Sequence, residues 1–296
     1  MSKLGNVVIV GCARDVEQML VQTVLPDIQK LRGMFDASAV YIYENDSRDG
    51  TLRVLEKTTD ITVISETNVP GTRTERLARG RNLLRMATDK YHPDADWMIM
   101  MDLDFHFAHN FDRLPEVIRS MRTDNINVAS AVSGHYYDYW ALRHQDADFV
   151  GDCLDRSNDT FLDWLKPNKC SQWGFWEPKG VVTVQSAFNG LAVYDMQSIR
   201  SSNCVYVGKH RNGAEKCEHV SFHRCLGNVV VDDRLRTTMW DRNRYFRVFL
   251  TKFNCYKAEL VMCILCFLIA AAQIFYMSFI RIHTPQCAPS SIWHRD

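Results

Sequence analysis

Strand-like and helix-like segments alternate along the first half of the chain, and this alternation constrains the fold more than any other feature. Predicted helices, among them Thr51–Lys57 and the longer Thr74 to Tyr91, separate short apolar runs. The apolar runs are Asn6–Val10, Ala39–Tyr43, Ile61–Ser65, Trp97–Met101 and Val128–Val132. Strands that alternate with helices predict a mostly parallel sheet with right-handed crossovers and helices on its faces. The predicted fold class is therefore α/β, with a Rossmann-like central sheet.

Two carboxylates directly follow the apolar run that ends at Met101. Asp102 and Asp104 are spaced i, i+2, with Leu103 between them. Ligands of open α/β sheets bind beyond the carboxyl ends of the strands, and paired carboxylates at that place suit a hard divalent cation. This Asp-x-Asp pattern is typical of enzymes that use nucleotide sugars, in which the cation holds the diphosphate. The same tripeptide also occurs in solvated loops, where it has no ligand.

Composition and charge exclude some classes of protein. The chain has 296 residues, which suggests one large domain or two small ones. Its 35 basic residues are balanced by 35 acidic ones, so no basic excess points to a nucleic-acid partner. The N-terminus runs straight into the first strand-like segment without a long apolar stretch, which predicts no signal peptide.

The C-terminal region carries a membrane signal. Leu260 to Ile280 comprises 21 residues without a formal charge, which as a helix would span roughly 31 Å, about one hydrocarbon core. A transmembrane helix is the prediction, and a buried core helix is the alternative. More basic residues precede this span than follow it, and that bias places the globular part in the cytosol. The preceding basic residues are Arg242, Arg244, Arg247, Lys252 and Lys257.

The cysteines offer a second test of the compartment. A cytosolic domain is expected to keep its thiols free, whereas a lumenal domain is expected to form disulfides. Bridges in a lumenal domain would be drawn from Cys153, Cys170, Cys204, Cys217 and Cys225.

Several polar residues follow or flank the predicted strands and are candidates for nucleotide contacts. Glu44 and Asp46 come after the second strand, where they could accept hydrogen bonds from a base and a ribose. Arg81 and Asn82 belong to an arginine-rich helix start, and an arginine turned into a cleft would contact a diphosphate through two hydrogen bonds. Asn189 precedes a glycine and could bind sugar hydroxyls. Each candidate also has a structural alternative. Glu44 and Asp46 could belong to the turn after the strand, Arg81 could be a solvated surface arginine, and Asn189 could belong to a simple β-turn.

A late acidic and histidine-containing segment suggests further metal and acceptor contacts. Glu218, His219 and His223 lie close together in the sequence. A histidine could complete the coordination of a cation already held by Asp104, and imidazole suits Mn²⁺ better than Mg²⁺. His223 is the predicted ligand and His219 is the alternative, although a lone histidine is more often structural.

Five segments resemble the fungal capsule-associated α-1,3-mannosyltransferase family, in the same order and from about Val7 to His223. The matching segments are Tyr43–Thr51, Leu77–Asn82, Tyr136–Arg143 (with Trp140 in place of Phe), Asn189–Gly190 and Glu218–His223. Two features depart from the family. Asn-Asp-Val usually stands where this chain has Asp102 to Asp104, and family members carry an N-terminal anchor and act in the secretory lumen.

The resemblance implies a GT-A fold and the transfer of mannose from GDP-mannose to a glycan acceptor, with retention of configuration. Mn²⁺ or Mg²⁺ would be held by Asp102, Asp104 and His223, and Asp138 and Glu218 are the carboxylates placed near the acceptor. A UDP-sugar-dependent transferase and a catalytically inactive membrane-anchored protein that binds glycan or nucleotide are alternatives. A metal-dependent nucleotidyltransferase would need a lysine-rich phosphate loop near the first strand, and residues 11–15 supply none.

The predicted organisation divides the chain into four parts. Residues 1–240 form the GT-A domain, with a nucleotide-binding half at about 1–134 and an aromatic-rich acceptor half at about 135–240. Residues 241–259 form a basic connector, residues 260–280 the transmembrane helix and residues 281–296 a short tail. Within the acceptor half, Val181–Val184 and Leu191–Tyr194 are predicted as later strands.

Overall fold

A computed structural model of the chain describes residues 4–105, 109–133, 138, 140–144 and 178–237, all of which belong to one compact unit, Met1–Asp241. Its strands are β1 (Asn6–Ala13), β2 (Ala37–Asn45), β3 (Thr62–Glu66), β4 (Trp97–Met101), β5 (Val128–Val132), β6 (Arg143–His144), β7 (Val181–Ser186), β8 (Leu191–Asp195) and β9 (Val229–Arg236). Its helices are α1 (Glu17–Met19), a π-helical turn (Leu20–Val24), α2 (Leu25–Arg32), α3 (Thr51–Lys57), α4 (Arg73–Tyr91), α5 (Leu114–Thr123), α6 (Met196–Arg200) and α7 (Glu218–Leu226).

The strands form one mixed sheet with the order β3-β2-β1-β4-β8-β5-β9-β7-β6. The first four neighbours in this order are parallel, but β8 runs antiparallel to both β4 and β5. β7 is likewise antiparallel to β9 and β6. The α/β prediction is therefore confirmed, and the prediction of a mostly parallel sheet is corrected to a mixed one. A buried strand has the same apolar sequence in either direction, so sequence pattern does not reveal this reversal.

The position of β8 joins the two predicted halves of the domain. β8 belongs to the later, acceptor half, yet it lies between β4 and β5 of the earlier half. Leu191 of β8 pairs with Met101 at the end of β4. The start of β8 therefore lies beside the Asp-x-Asp segment.

Both faces of the sheet are covered by apolar side chains. One buried cluster includes Leu20, Ile28 and Val117, so it packs the π-helical turn, α2 and α5 on one face. The opposite cluster includes Leu84 of α4 and Phe222 of α7. The two helices that contribute to the candidate site thus share one face of the sheet.

Helix α4 begins with a capping box and lies close against the sheet. The hydroxyl of Thr72 accepts a hydrogen bond from the amide of Glu75, and the Glu75 carboxylate accepts one from the amide of Thr72, which together form a capping box. Further along, a Cβ atom at Gly80 would lie 2.3 Å from the ring of Tyr43. The missing side chain at Gly80 lets α4 lie against β2 and brings the neighbouring Arg81 over the sheet edge.

The membrane prediction falls outside the described residues. In the part of the chain that the structure describes, no helix is both long and apolar enough to cross a membrane. The predicted connector (241–259), span (260–280) and tail (281–296) lie beyond that part, so the transmembrane helix stays a prediction. Strand β9 and helices α6 and α7 are elements that the sequence patterns did not predict.

Candidate active site

A cavity of about 420 Å³ lies at the carboxyl ends of β1, β2 and β4. From β1 the chain proceeds outward through β2 and β3 on one side, and it then returns to place β4 on the other side of β1. Such a reversal of strand order opens a crevice between the neighbouring strand ends, which is where ligands of α/β sheets bind.

The acidic segment after β4 is held in place by its neighbours. The amide of Asp102 donates to the carbonyl of Gly190 at 2.9 Å. The hydroxyl of Thr23, in the π-helical turn, donates to the carbonyl of Phe105 at 2.7 Å. Asp102 and Asp104 both line the cavity, as predicted for the strand-end position. Their assignment as metal ligands remains a prediction.

Arg81 is the buried cation of the site. Its guanidinium contacts a carboxylate oxygen of Asp102 at 3.2 Å and forms a close ion pair with Glu218. It also lies over the ring of Phe188, 5.1 Å from the ring centroid. The side chain of Arg81 is only 5% exposed, so it serves as a fixed charge between α4, β4 and α7.

The carboxylates of the cavity repel one another. Burial raises the pKa of Asp102 to about 7, and the charges of Asp104 and Asp138 add to this rise while Arg81 opposes it. Close carboxylates in a partly desolvated site cannot all ionise without cost. A cation bound there would remove that cost.

Asp138 and Asn189 bind each other through their backbones and side chains. The amide of Asp138 donates to Oδ1 of Asn189, and the amide of Asn189 donates to Oδ2 of Asp138, both at 3.4 Å. Asn189 has a φ of 58° and no solvent exposure. Burial raises the pKa of Asp138. The predicted sugar contact Asn189 is therefore engaged in holding the predicted catalytic Asp138, which itself lines the cavity.

Arginines balance these carboxylates. Arg14 follows β1, and Arg73 and Arg76 lie in the first turns of α4. The arginines that line the cavity are Arg14, Arg73, Arg76 and Arg81, and the carboxylates are Asp102, Asp104, Asp138 and Glu218. The lining of the cavity therefore carries no net formal charge.

The structure places Glu44 and Asp46 outside the cavity lining. The carboxylate of Glu44 accepts hydrogen bonds from the amide of Ser47 and the hydroxyl of Ser65. That of Asp46 accepts hydrogen bonds from the side-chain amide of Asn45 and from the backbone amides of Asn68 and Val69, and these bonds lower its pKa. Both side chains thus organise the loop after β2, and the geometry does not support the predicted nucleotide contacts. Asn45, between them, lines the cavity instead.

Asn82 also has a structural position. Its amide nitrogen donates to the carbonyl of Tyr206, and its amide oxygen accepts a hydrogen bond from the amide of the same residue. The side chain therefore ties α4 to the 204–208 segment and points away from the cavity that Arg81 lines. Successive residues of a helix face different directions, so the predicted pair could not share one role.

The placement of the two late histidines requires a correction. His223, the predicted metal ligand, is fully buried and lies outside the cavity lining. Its Nε2 is hydrogen-bonded to the hydroxyl of Tyr194 at 2.8 Å, and its Nδ1 contacts the hydroxyl of Ser186 at 3.3 Å. Burial lowers the pKa of His223 to about 3. His219, one helical turn earlier, lines the cavity instead.

The donor set of the cavity fits a hard cation only in part. Within the described residues, no group of three or more histidine, cysteine, aspartate or glutamate side chains is arranged to hold a metal. Mg²⁺ nevertheless binds through one or two carboxylates when water and phosphate oxygens complete its shell. Asp102 and Asp104 supply that number, and burial, ahead of the neighbouring charges, raises the pKa of Asp102.

The free cysteines near the site are unsuited to nucleophilic chemistry. Burial raises the pKa of Cys12 to about 11 and that of Cys217 to about 12, so both thiols stay neutral at physiological pH. Cys204 and Cys225 form a disulfide. This bridge ties the end of α7, the helix that begins with Glu218, to the 204–208 segment.

Two residues that line the cavity, Arg14 and Phe188, were not among the predicted site residues. Their only sequence signals are that Arg14 follows the end of a strand and that Phe188 directly precedes Asn189.

The comparisons with known proteins agree with this architecture only in part. No protein-family model matches the chain, and no curated protein matches it by sequence. TarS 1–349 from S. aureus is similar over 79% of this chain and 60% of that one, with 13% identity and a TM-score of 0.44. Glucosyl-3-phosphoglycerate synthase from M. tuberculosis is similar over 80% of this chain and 73% of its own, with 15% identity and a TM-score of 0.44. A complex of that synthase with Mg²⁺ and uridine diphosphate is similar over 43% of each chain, with 18% identity and a TM-score of 0.32.

All three likenesses are at low identity and at TM-scores below 0.5. The chain spans less than two thirds of the TarS structure. TM-scores this low mark a partial likeness and place the chain in no family.

Proposed function

We propose that this protein is a metal-dependent glycosyltransferase that moves a sugar from a nucleoside-diphosphate donor to a hydroxyl group of a glycan acceptor. The charge balance of the strand-end cavity carries the proposal. Its four arginines and four carboxylates cancel formally, so one bound divalent cation would give the cavity a charge of plus two. A diphosphate that links a nucleoside to a sugar carries two negative charges and would neutralise it.

The carboxylates and the arginines of the cavity would divide this work. Asp102 and Asp104 would hold Mg²⁺ or Mn²⁺, which when bound stabilises the negative charge of the leaving diphosphate. Arg14, Arg73 and Arg76 line the same cavity, and guanidinium groups bind phosphate oxygens in pairs. Neither task requires His223.

The two carboxylates near the acceptor have different chemistry. Glu218 is ion-paired with Arg81, which favours its ionised form and makes it a weak proton acceptor. Asp138 has a pKa raised by burial, and a raised pKa brings a carboxylate closer to the range of an effective general base. Asp138 therefore orients the acceptor hydroxyl and would take its proton in an inverting reaction.

The finer assignment rests on the resemblance to the α-1,3-mannosyltransferases. It favours GDP-mannose as the donor and retention of configuration, in which the leaving phosphate takes the acceptor proton. A UDP-sugar donor is the alternative, because no described residue near the cavity selects one base over another by its geometry.

A donor screen tests the proposal. The full-length chain is incubated with GDP-sugars and UDP-sugars in the presence of Mn²⁺ or Mg²⁺, and donor hydrolysis or transfer is measured. We expect turnover with one class of donor, loss of turnover with excess EDTA, and loss in Asp104→Asn. Asp124→Asn, at an exposed position on the far end of α5, is the matched control and should keep full activity. Turnover that persists in excess EDTA would contradict the metal-dependent mechanism.

A further inference from the structure

Within the described residues, two buried polar groups of the cavity have no hydrogen-bond partner, and they have no task in the proposed transfer. Both ring nitrogens of His219 are buried without such a partner there, and so is the indole nitrogen of Trp140. His219 is 2% exposed, and both side chains line the cavity. Buried polar atoms in folded proteins are nearly always hydrogen-bonded, and each unpaired one destabilises the structure. Their presence in a cavity therefore points to a ligand that supplies the missing hydrogen bonds.

The ring of His219 is fixed by its neighbours. It stacks on Phe188 with ring centroids 3.8 Å apart and an interplanar angle of 20°. The ring of Tyr206 meets it edge-on, at 5.6 Å and 83°. A carboxylate oxygen of Glu218 lies 3.9 Å from Nε2, which is too far for a hydrogen bond. The ring therefore presents its two nitrogens in a defined orientation.

The protonation state of His219 limits the chemistry of its ligand. Burial and the charge of Arg81 lower the pKa of His219 well below its ordinary value. At physiological pH the ring is thus neutral, with one nitrogen that donates and one that accepts. A phosphate can only accept hydrogen bonds from the protein, so it would leave the accepting nitrogen unpaired. Sugar hydroxyls both donate and accept, so two of them would satisfy the two nitrogens.

We propose that His219 and the indole N–H of Trp140 form the subsite for the hydroxyl groups of the transferred sugar. This inference rests on the proposed function, because it names the part of the sugar-nucleotide donor that these groups recognise. The stacked pair of Phe188 and His219 forms a wall of this subsite, and the ion pair of Arg81 and Glu218 lies beside it.

Binding measurements on two variants that keep an aromatic ring test the subsite. His219→Phe keeps an aromatic ring on Phe188 and removes both nitrogens, and Trp140→Phe removes the indole N–H. Calorimetry with the full-length chain and Mg²⁺ would compare UDP and GDP with UDP-glucose and GDP-mannose.

In His219→Phe we expect the affinity for the preferred sugar nucleotide to fall about tenfold, the value of one net hydrogen bond or slightly more. The affinity for the matching nucleoside diphosphate should stay within about twofold. His210→Phe, at an exposed position, is the control.

A second measurement needs no ligand. Because His219→Phe removes unpaired buried nitrogens, the free variant should unfold at the same temperature as the wild-type chain or at a higher one. A lower unfolding temperature would show that these nitrogens have partners in the free protein and would overturn the proposal.

The outcomes separate this proposal from the proposed function. An equal loss of affinity for the nucleoside diphosphate with Mg²⁺ would make His219 a metal or phosphate ligand and overturn the subsite. Unchanged affinity for the sugar nucleotide would overturn the subsite and leave the proposed function standing. A wild-type chain that binds none of the four nucleotides would overturn both.

Discussion

The Nη2 atom of Arg81 lies 3.2 Å from Oδ1 of Asp102, and this contact joins helix α4 to the end of strand β4. Arg81 also pairs with Glu218 on α7, so one guanidinium serves two carboxylates. A buried ion pair adds little stability over an apolar replacement, but the loss of one partner leaves the other charge uncompensated. Arg81 therefore sets the position and ionisation of the cavity carboxylates.

The first prediction concerns this buried charge. Arg81→Met leaves Asp102 and Glu218 without their cation and should lower the free energy of unfolding by about 3–5 kcal/mol. Arg79→Met removes an exposed arginine of the same helix, whose ion pair with Glu66 should contribute at most about 1 kcal/mol. Urea denaturation of both variants measures the difference. Equal losses would contradict the role of Arg81 as a shared buried counter-charge.

The second prediction concerns the pH dependence of stability. The pKa of Asp102 is raised to about 7 in the folded protein. Between about pH 4 and pH 7, the folded state therefore holds a proton that the unfolded state has lost. The stability that this proton contributes is full below the ordinary pKa of an aspartate, near 4, and is lost as the pH rises through 7.

Asp102→Asn removes this dependence. At pH 8 the metal-free variant should be more stable than the wild-type chain, on the order of 1–2 kcal/mol after allowance for partial solvent exposure. At pH 4 the two should differ little. Denaturation curves at both pH values, with EDTA present, make the comparison. A stability difference that does not change with pH would argue against the raised pKa.

The third prediction separates His223 from the metal. His223→Phe breaks the contacts with Tyr194 and Ser186 and should cost about 1–3 kcal/mol of stability above pH 6.5. Since burial lowers the pKa of His223 to about 3, the wild-type chain loses stability as the pH falls below 6.5, and the gap to the variant should narrow there. The Kd of nucleoside diphosphate with Mn²⁺ should be unchanged. A weaker metal-dependent affinity with unchanged stability would restore His223 as a ligand.

The fourth prediction concerns the disulfide between Cys204 and Cys225, which closes a loop with a sequence separation of 21. Replacement of both cysteines by alanine should lower the free energy of unfolding by about 3 kcal/mol. Reduction of the wild-type chain with dithiothreitol should produce the same loss, and reduction of the variant should have no further effect. If reduction destabilised both chains equally, the bridge would not be the cause.

The fifth prediction concerns the compartment. The basic residues before the predicted span favour a cytosolic domain, whereas a disulfide favours an oxidising compartment. We expect the disulfide to be the better guide, so that protease added to sealed microsomes spares the globular domain. Digestion of that domain would instead support the cytosolic placement. Carbonate extraction of the same membranes tests the predicted anchor at residues 260–280.

The sequence patterns predicted most of the first half of the fold. Helix α3 was predicted with its observed bounds, Thr51–Lys57, and β4 with its observed bounds, Trp97–Met101. These elements have local signals, since a short helix or a short apolar run can be recognised from a few residues. The Asp-x-Asp position at the cavity follows from the end of β4 alone.

The remaining site residues depend on contacts between distant parts of the chain. Glu44 and Asp46 occupy the predicted strand end, but their carboxylates bind amides and a hydroxyl of residues 47, 65, 68 and 69. Sequence patterns do not predict whether a polar side chain will form hydrogen bonds within the protein or bind a ligand. That outcome is set when the surrounding loops pack.

The sequence by itself determined the α/β class, the strand-end carboxylates and the arginine-rich start of α4, because these depend on spacing over a few residues. Only the tertiary structure decided the direction of β8, the burial of Arg81 between two carboxylates, and the histidine that reaches the cavity. His219 and His223 are four residues apart on α7, so they share one helix face and differ by about 6 Å along its axis. Periodicity cannot distinguish them, and the depth at which α7 packs on the sheet places His219 in the cavity and His223 in the core.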